Sequence, residues 1–223
     1  MTPAVITLIT NAIGKVSMKT RASLIVAASA LALAACAGSA PDRFYRLATR
    51  SAAPAAVTEV SPAASAALAA AVVAVTAVSV PDLVDRPQIV TLGEGSRVQI
   101  SEQNRWAEPL KLAIGRLVAE RISAQLGSPL VFAYPADSGV EPTYRITLSV
   151  QRFDAELGTS ASVTMLWTVR RISDGQLRSG RSAMSARPAD ASYAALVEAQ
   201  ADAIARIGDE IARAIATWVG PTK

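Results

Sequence analysis

Residues 144–153 read YRITLSVQRF and residues 162–169 read SVTMLWTV, and these two stretches decide the fold. In the first, Tyr144, Ile146, Leu148 and Val150 point one way while Arg145, Thr147, Ser149 and Gln151 point the other, the period-two pattern of a half-buried strand. Val163, Met165, Trp167 and Val169 repeat it, which places Trp167 in the core or on the sheet face. The SDG at 173–175 supplies a turn at Asp174 and Gly175, and QLRSGRSAMSA (176–186) returns. The result is an antiparallel meander with one wet face.

Working outward, the chain closes with a helix expected from about Ser192 to Trp218. Its apolar stripe is Tyr193, Val197, Ile204, Ile207, Ile211, Ile215 and Trp218, the last read as a core plug, and Gly220 and Pro221 end it. Upstream, RWAEPLKLAIGRLVAERISAQLG (105–127) switches from period two to period 3.6. Leu110, Ile114, Leu117, Val118 and Ile122 share one helical face, with Lys111, Arg116, Glu120 and Arg121 elsewhere. Pro109 suits the first turn, Glu108 complements the positive end of the helix dipole, and Gly127 suits the stop. QIVTL (88–92) and SRVQI (96–100) flank GEG, a strand, turn and strand. Residues 63–80 are uncharged and long enough to raise a membrane helix. The β-branched Val73, Val75, Val78 and Val80, with Pro81 closing the run, favour a buried strand instead. These readings give an α+β fold: a mixed, mainly antiparallel sheet with two amphipathic helices packed on it.

The amino-terminal third is of another kind. Lys19 and Arg21 precede an uncharged run from Ala22 to Ala35, which is the order of a secretory signal and too short for a permanent span. Leu33, Ala34 and Ala35 lead to Cys36, the single cysteine of 223 residues, so LAAC reads as a lipobox at which bacterial lipoproteins are acylated and cut. Met18 is the better start, because the apolar stretch ahead of it would displace the hydrophilic head of a signal. The expected organisation is a signal at 1–35, a lipidated N-terminus with a short strand near Phe44–Leu47 and an Ala/Ser/Pro tether at 36–70, and the α+β domain at 71–223. Of 22 basic residues, Lys15, Lys19 and Arg21 precede Cys36, so the chain from Cys36 onward carries 19 against 18 acidic residues, net +1. A near-neutral mature chain has no electrostatic footprint for nucleic acid. A lone cysteine leaves no intramolecular disulfide to expect.

The inventory of reactive groups is thin. The chain has no histidine, which removes the usual general base and the commonest metal ligand. With Cys36 committed to lipid, thiolate catalysis and thiolate zinc sites go too. Neither a nucleophile elbow nor a phosphate loop occurs, and GEGS lacks the third glycine and following helix of a dinucleotide loop. The remaining carboxylate pairs, Glu108 with Asp85 or Asp154 with Glu156, read as solvated charges at element ends, and the chain is not expected to be an enzyme.

VPDLVDRPQIV (80–90) and QISEQNRWAEPL (99–110), with FYRL (44–47) and DASYAALVEAQADAIARIGDEIARAI (190–215), carry a resemblance. Over Phe44 to about Trp218 the chain resembles the PqiC-like family of ABC-transport auxiliary lipoproteins. Its tether between Arg50 and Ala70 is longer than that family leads one to expect. The resemblance implies a lipid-anchored accessory subunit that partners an MCE-domain protein in moving lipid between two membranes, with the ABC permease and ATPase as separate chains. Together with the lipobox and the thin inventory of reactive groups, the expectation is covalent diacylglycerol and acyl groups on Cys36 and no cofactor or metal. The aspartate that retains some lipoproteins at the inner membrane is absent at Ala37, so the expected location is the outer membrane, facing the periplasm. Asp85, Arg86, Arg105, Trp106 and Glu108 are the candidate partner-binding residues. Two readings of them stand open: Arg105 and Trp106 stack and pair with Asp85 or Glu108 to lock the corner between strand and helix, or the group forms a binding surface of the Trp/Arg kind. An assembly lipoprotein of the outer membrane that never handles lipid is the alternative function. Homo-oligomeric rings would suit a part that meets a symmetric partner, but no residue counts subunits.

Overall fold

The computed structural model describes residues 41–49, 62–134 and 139–219. Cys36, the signal, the alternative start at Met18 and the terminal Gly220 and Pro221 therefore lie outside the described residues. All described elements belong to one compact unit, Asp42–Lys223. They run β1 (Arg43–Tyr45), α1 (Pro62–Ala70), β2 (Val73–Ser79), β3 (Gln88–Leu92), β4 (Val98–Trp106), α2 (Leu110–Leu126), β5 (Val131–Ala133), β6 (Tyr144–Glu156), β7 (Ser160–Arg171), β8 (Leu177–Ala186) and α3 (Tyr193–Val219).

Two sheets result, one ordered β1-β4-β3 and the other β5-β2-β6-β7-β8. The meander read from the alternation is the antiparallel β6-β7-β8 half of the larger sheet, with Leu148 opposite Trp167 and Val163 opposite Met184. The other half is parallel: β2 pairs with β6 on one edge and β5 on the other. Parallel pairing needs crossovers, and these place α2 against β2 and β5 while α3 packs on β7 and β8. The helices cover one face, over a core that includes Val73, Ile146, Leu148, Val163, Met165, Val169, Ile114, Leu117, Ile204 and Ile211.

Two expectations change, for the tether and for Arg121, while the strand expected ahead of Pro81 is β2. The tether contains α1: alanine is the best helix former, Pro62 suits a first helical position, and Leu68 and Ala64 are buried. A boundary at residue 71 thus falls inside the compact unit, which also takes in β1 through its parallel pairing of Tyr45 with Trp106. The uncharged run 63–80 is two elements, a short helix and then a strand, and among the described residues no helix is long and apolar enough to cross a membrane. Arg121, assigned to the wet side of α2, is 7% exposed. It pairs with Asp209 of α3 through Nε–Oδ1 at 3.0 Å and Nη2–Oδ2 at 2.9 Å. Long aliphatic residues hid this site from periodicity, because the face α2 turns to α3 is wider than its stripe.

Trp167 lies over Gly180, its partner on β8, where a Cβ would fall inside the indole. The indole Nε1 donates to Ser182 Oγ at 2.9 Å and Ser182 Oγ donates to Glu210 of α3 at 2.6 Å, so the buried ring is satisfied and tied to the helix. Gly180→Ala is expected to cost about 1–3 kcal/mol by overpacking, read as a lowered midpoint in chemical denaturation. Asp209→Ala removes the carboxylate from a buried guanidinium and is expected to cost about 3–5 kcal/mol, whereas Arg121→Met with Asp209→Leu recovers most of that loss, measured on the same denaturation curves.

Candidate functional site

The corner between β2 and α2 gathers the sequence-predicted residues. The strand leaves Ser79 and turns at Pro81, whose carbonyl accepts from the amides of Val84 and Asp85 at 3.0 and 3.1 Å. Arg86 sits at a bend ahead of Pro87, as expected of a residue before proline. The Pro87 carbonyl accepts from the Trp106 amide at 2.7 Å, and the Tyr45 carbonyl from the Ala107 amide at 2.8 Å. Three strands therefore converge where α2 begins. Asp85, Arg86, Pro87, Trp106, Glu108 and Pro109 line one cleft of about 300 Å³ there.

Within the cleft the residues differ sharply. Trp106 is 6% exposed and belongs to the main core, its ring edge-on to Phe153 at 6.3 Å and 66°. It forms the wall of the cleft, and its bulk is spent on the corner. Arg86 is half-buried, and its Nε is sealed from solvent without a hydrogen-bond partner. A sealed nitrogen without a hydrogen bond is costly, and the guanidinium it belongs to is left without a carboxylate among the described residues.

The expected pairing of Arg105 with Asp85 or Glu108 is not what the corner does. Arg105 turns to the opposite side of β4, where Nε lies 3.5 Å from Asp42 and donates to the Glu102 carbonyl at 3.2 Å. Consecutive strand residues point to opposite faces, so Arg105 cannot lie over Trp106. Asp85 instead accepts from Lys111 at 3.0 Å, and Glu108 from Arg116 at 2.7 Å. Arg116 also reaches Glu120 at 2.8 Å and the Leu47 carbonyl at 2.9 Å, pinning the segment after β1 to α2. Burial works against the charge of Arg116, but its bonds to Glu108 and Glu120 outweigh that and raise its pKa above the ordinary value. Sequence reasoning missed Lys111 and Arg116 as partners. They reach the corner because α2 starts there, and which carboxylate each one meets is set by how the helix docks.

Asp154 is engaged by Arg152, and among the described residues no group of three His, Cys, Asp or Glu side chains could hold a metal. A second cluster closes the far end of the sheet. Trp218 is half-buried: it stacks on Tyr144 at 5.9 Å and 24°, with the guanidiniums of Arg171 and Arg178 at 5.1 and 4.6 Å from its ring. Burial pushes the Tyr144 hydroxyl up while Arg171 pulls it back. Arg178 donates to the Ala214 carbonyl at 2.8 Å, so this cluster fastens the end of α3 to β8.

Comparison with known proteins places the fold and the family. A crystal structure of an uncharacterized protein aligns with TM-score 0.60 at 19% identity, covering 79% of this chain and 99% of the other. The structure of protein XCC0632 from Xanthomonas campestris, of the DUF330 family, aligns with TM-score 0.60 at 15% identity, covering 78% of this chain and 95% of the other. At such identities the likeness is one of fold. No curated protein matches the sequence. The family described as "ABC-type transport auxiliary lipoprotein component" matches residues 52–212, from the stretch ahead of α1 to the last turns of α3. That match takes in β2 to β8, the corner and most of the helical layer, and the chain belongs to the family of ABC-type transport auxiliary lipoprotein components, which the sequence analysis described as PqiC-like.

Proposed function

We propose that this chain is the membrane-tethered accessory subunit of an ABC and MCE-type system that moves lipid between two membranes. It is acylated on Cys36 in the outer membrane and faces the periplasm. It works by binding and positioning: the permease and ATPase are separate chains, and the immediate partner is the MCE-domain protein. Family membership supports the auxiliary role. The observation that carries the binding reading is Arg86, which lines a cleft with the exposed Asp85 and the half-buried Glu108 and whose guanidinium forms no ion pair among the described residues. A carboxylate or backbone carbonyl of the partner would complete it, while Asp85 and Glu108, each tied to a cation, hold the rim in place. Arg105, on the other side of β4, extends the surface around the edge, and Trp106 supplies the rigid wall.

Affinity capture of the native chain from solubilised membranes tests this. An MCE-domain protein is expected in the eluate, and Arg86→Ala is expected to lower its recovery about tenfold, the worth of a hydrogen bond to a charged group, without a shift in melting temperature. Trp106→Ala, by contrast, should lower stability first, by about 3–5 kcal/mol. Unchanged recovery with Arg86→Ala, or recovery of barrel-assembly components alone, would contradict the proposal.

A further inference from the structure

The face of the larger sheet turned away from the helices carries a pattern that neither the core nor the corner uses. Arg145 on β6 stands directly opposite Arg170 on β7, and Arg170 stands opposite Leu177 on β8. Four residues back along β7, Leu166 lies between Ser149 and Arg181. Arg145, Arg170 and Arg181 are exposed, as are Leu166 at 41% and Leu177 at 57%. Between them lie short hydroxyls, Thr147, Thr168 and Ser179, with Thr168 and Ser179 bonded to each other at 3.1 Å. Arg145 reaches Glu141 at 3.3 Å, but among the described residues Arg170 and Arg181 form no ion pair. The acidic residues of this face, Asp154 and Glu156, stand at the other end of β6, where Asp154 is taken by Arg152.

Like charges directly opposite across a strand pair are unfavourable, and an anion seated between the two guanidiniums removes the repulsion. We propose that this end of the open sheet face, Arg145, Arg170 and Arg181 with Leu166 and Leu177, lies against an anionic phospholipid surface. The guanidiniums pair with headgroup phosphates and each leucine, beside its cross-strand arginine, enters the headgroup boundary. A protein partner fits less well. The five residues include no tyrosine or tryptophan, the anchors of protein interfaces, and the leucines are single and dispersed rather than gathered into one apolar core. The inference rests on membrane attachment of the chain and not on the partner corner.

The test uses the native chain reconstituted into vesicles of phosphatidylcholine alone or with added phosphatidylglycerol. A dicarbonyl reagent specific for arginine is applied, and labelling is read by mass spectrometry against the exposed Arg213 of α3. Labelling of Arg170 and Arg181 is expected to fall about fivefold in the anionic vesicles, the fold-change matching the surface attraction of one basic residue, and to recover in high salt. Arg170→Glu with Arg181→Glu should abolish the protection at Arg145. Equal labelling in both vesicles, or protection that appears only when a partner chain is reconstituted alongside and regardless of headgroup charge, would overturn the proposal. Flotation separates the two readings. A chain that floats only with anionic vesicles defeats the lipid anchor and supports the face, and one that floats with neither defeats both.

Discussion

The strand Val73–Ser79 has parallel neighbours on both edges, β6 along its length and β5 at Val73–Val75, and the rest of the unit is arranged around that constraint. A strand in this position buries both faces at its start, which is why Val73, Ala74 and Val75 are all apolar and all buried. Parallel neighbours cannot be reached by a hairpin, so the chain must leave, build the β3–β4 ribbon, and return through α2 to β5. The helix lies close over the strand, with Gly115 facing Val78, where a Cβ would come within 3.2 Å. The exit from β2 is therefore fixed against the start of α2, and the turn from Pro81 to Pro87 has no freedom to carry Arg86 elsewhere.

The stabilising forces divide by layer. Between helices and sheet they are mainly apolar, with the hydrogen bonds of Ser182 to Glu210 and of Arg178 to the Ala214 carbonyl tying α3 to β8, and the buried ion pair of Arg121 with Asp209 joins α2 to α3. Such a pair adds little net energy and a great deal of specificity, since a shift of either helix strands a charge. At the corner the ion pairs are partly exposed and individually weak, but Arg116 links Glu108, Glu120 and the Leu47 carbonyl into one network that a single contact would not make. Two surfaces remain unspent by folding: the Arg86 cleft at one edge of the unit, and the arginine and leucine face of the sheet.

Alternation made the β6-β7-β8 meander legible, since Tyr144 to Val150 follow it throughout and Val163 to Val169 depart from it only at the exposed Leu166 and the buried Thr164, and the 3.6 period did the same for α2 and α3. Pairing partners were not legible: nothing in VAVTAVS says that its neighbours are parallel, and β5, three residues long, carries no period at all. The alanine-rich stretch before β2 misled because the same composition serves a linker and a helix, and only the burial of Leu68 separates them. At the corner, the residues that cluster were found because they lie in two blocks flanking β3 and β4. Their ion-pair partners were not, because Lys111, Arg116 and Asp42 are brought in by helix phase and by the register of β1, neither of which is written in the local spacing.

The chain belongs to the family of ABC-type transport auxiliary lipoprotein components. The whole account requires that this body hang from a bilayer. Intact mass spectrometry of the native chain isolated from membranes tests that most directly. The account predicts a polypeptide beginning at Cys36 whose added mass matches diacylglycerol and a further acyl chain. An unacylated polypeptide still bearing the residues before Cys36 would contradict it.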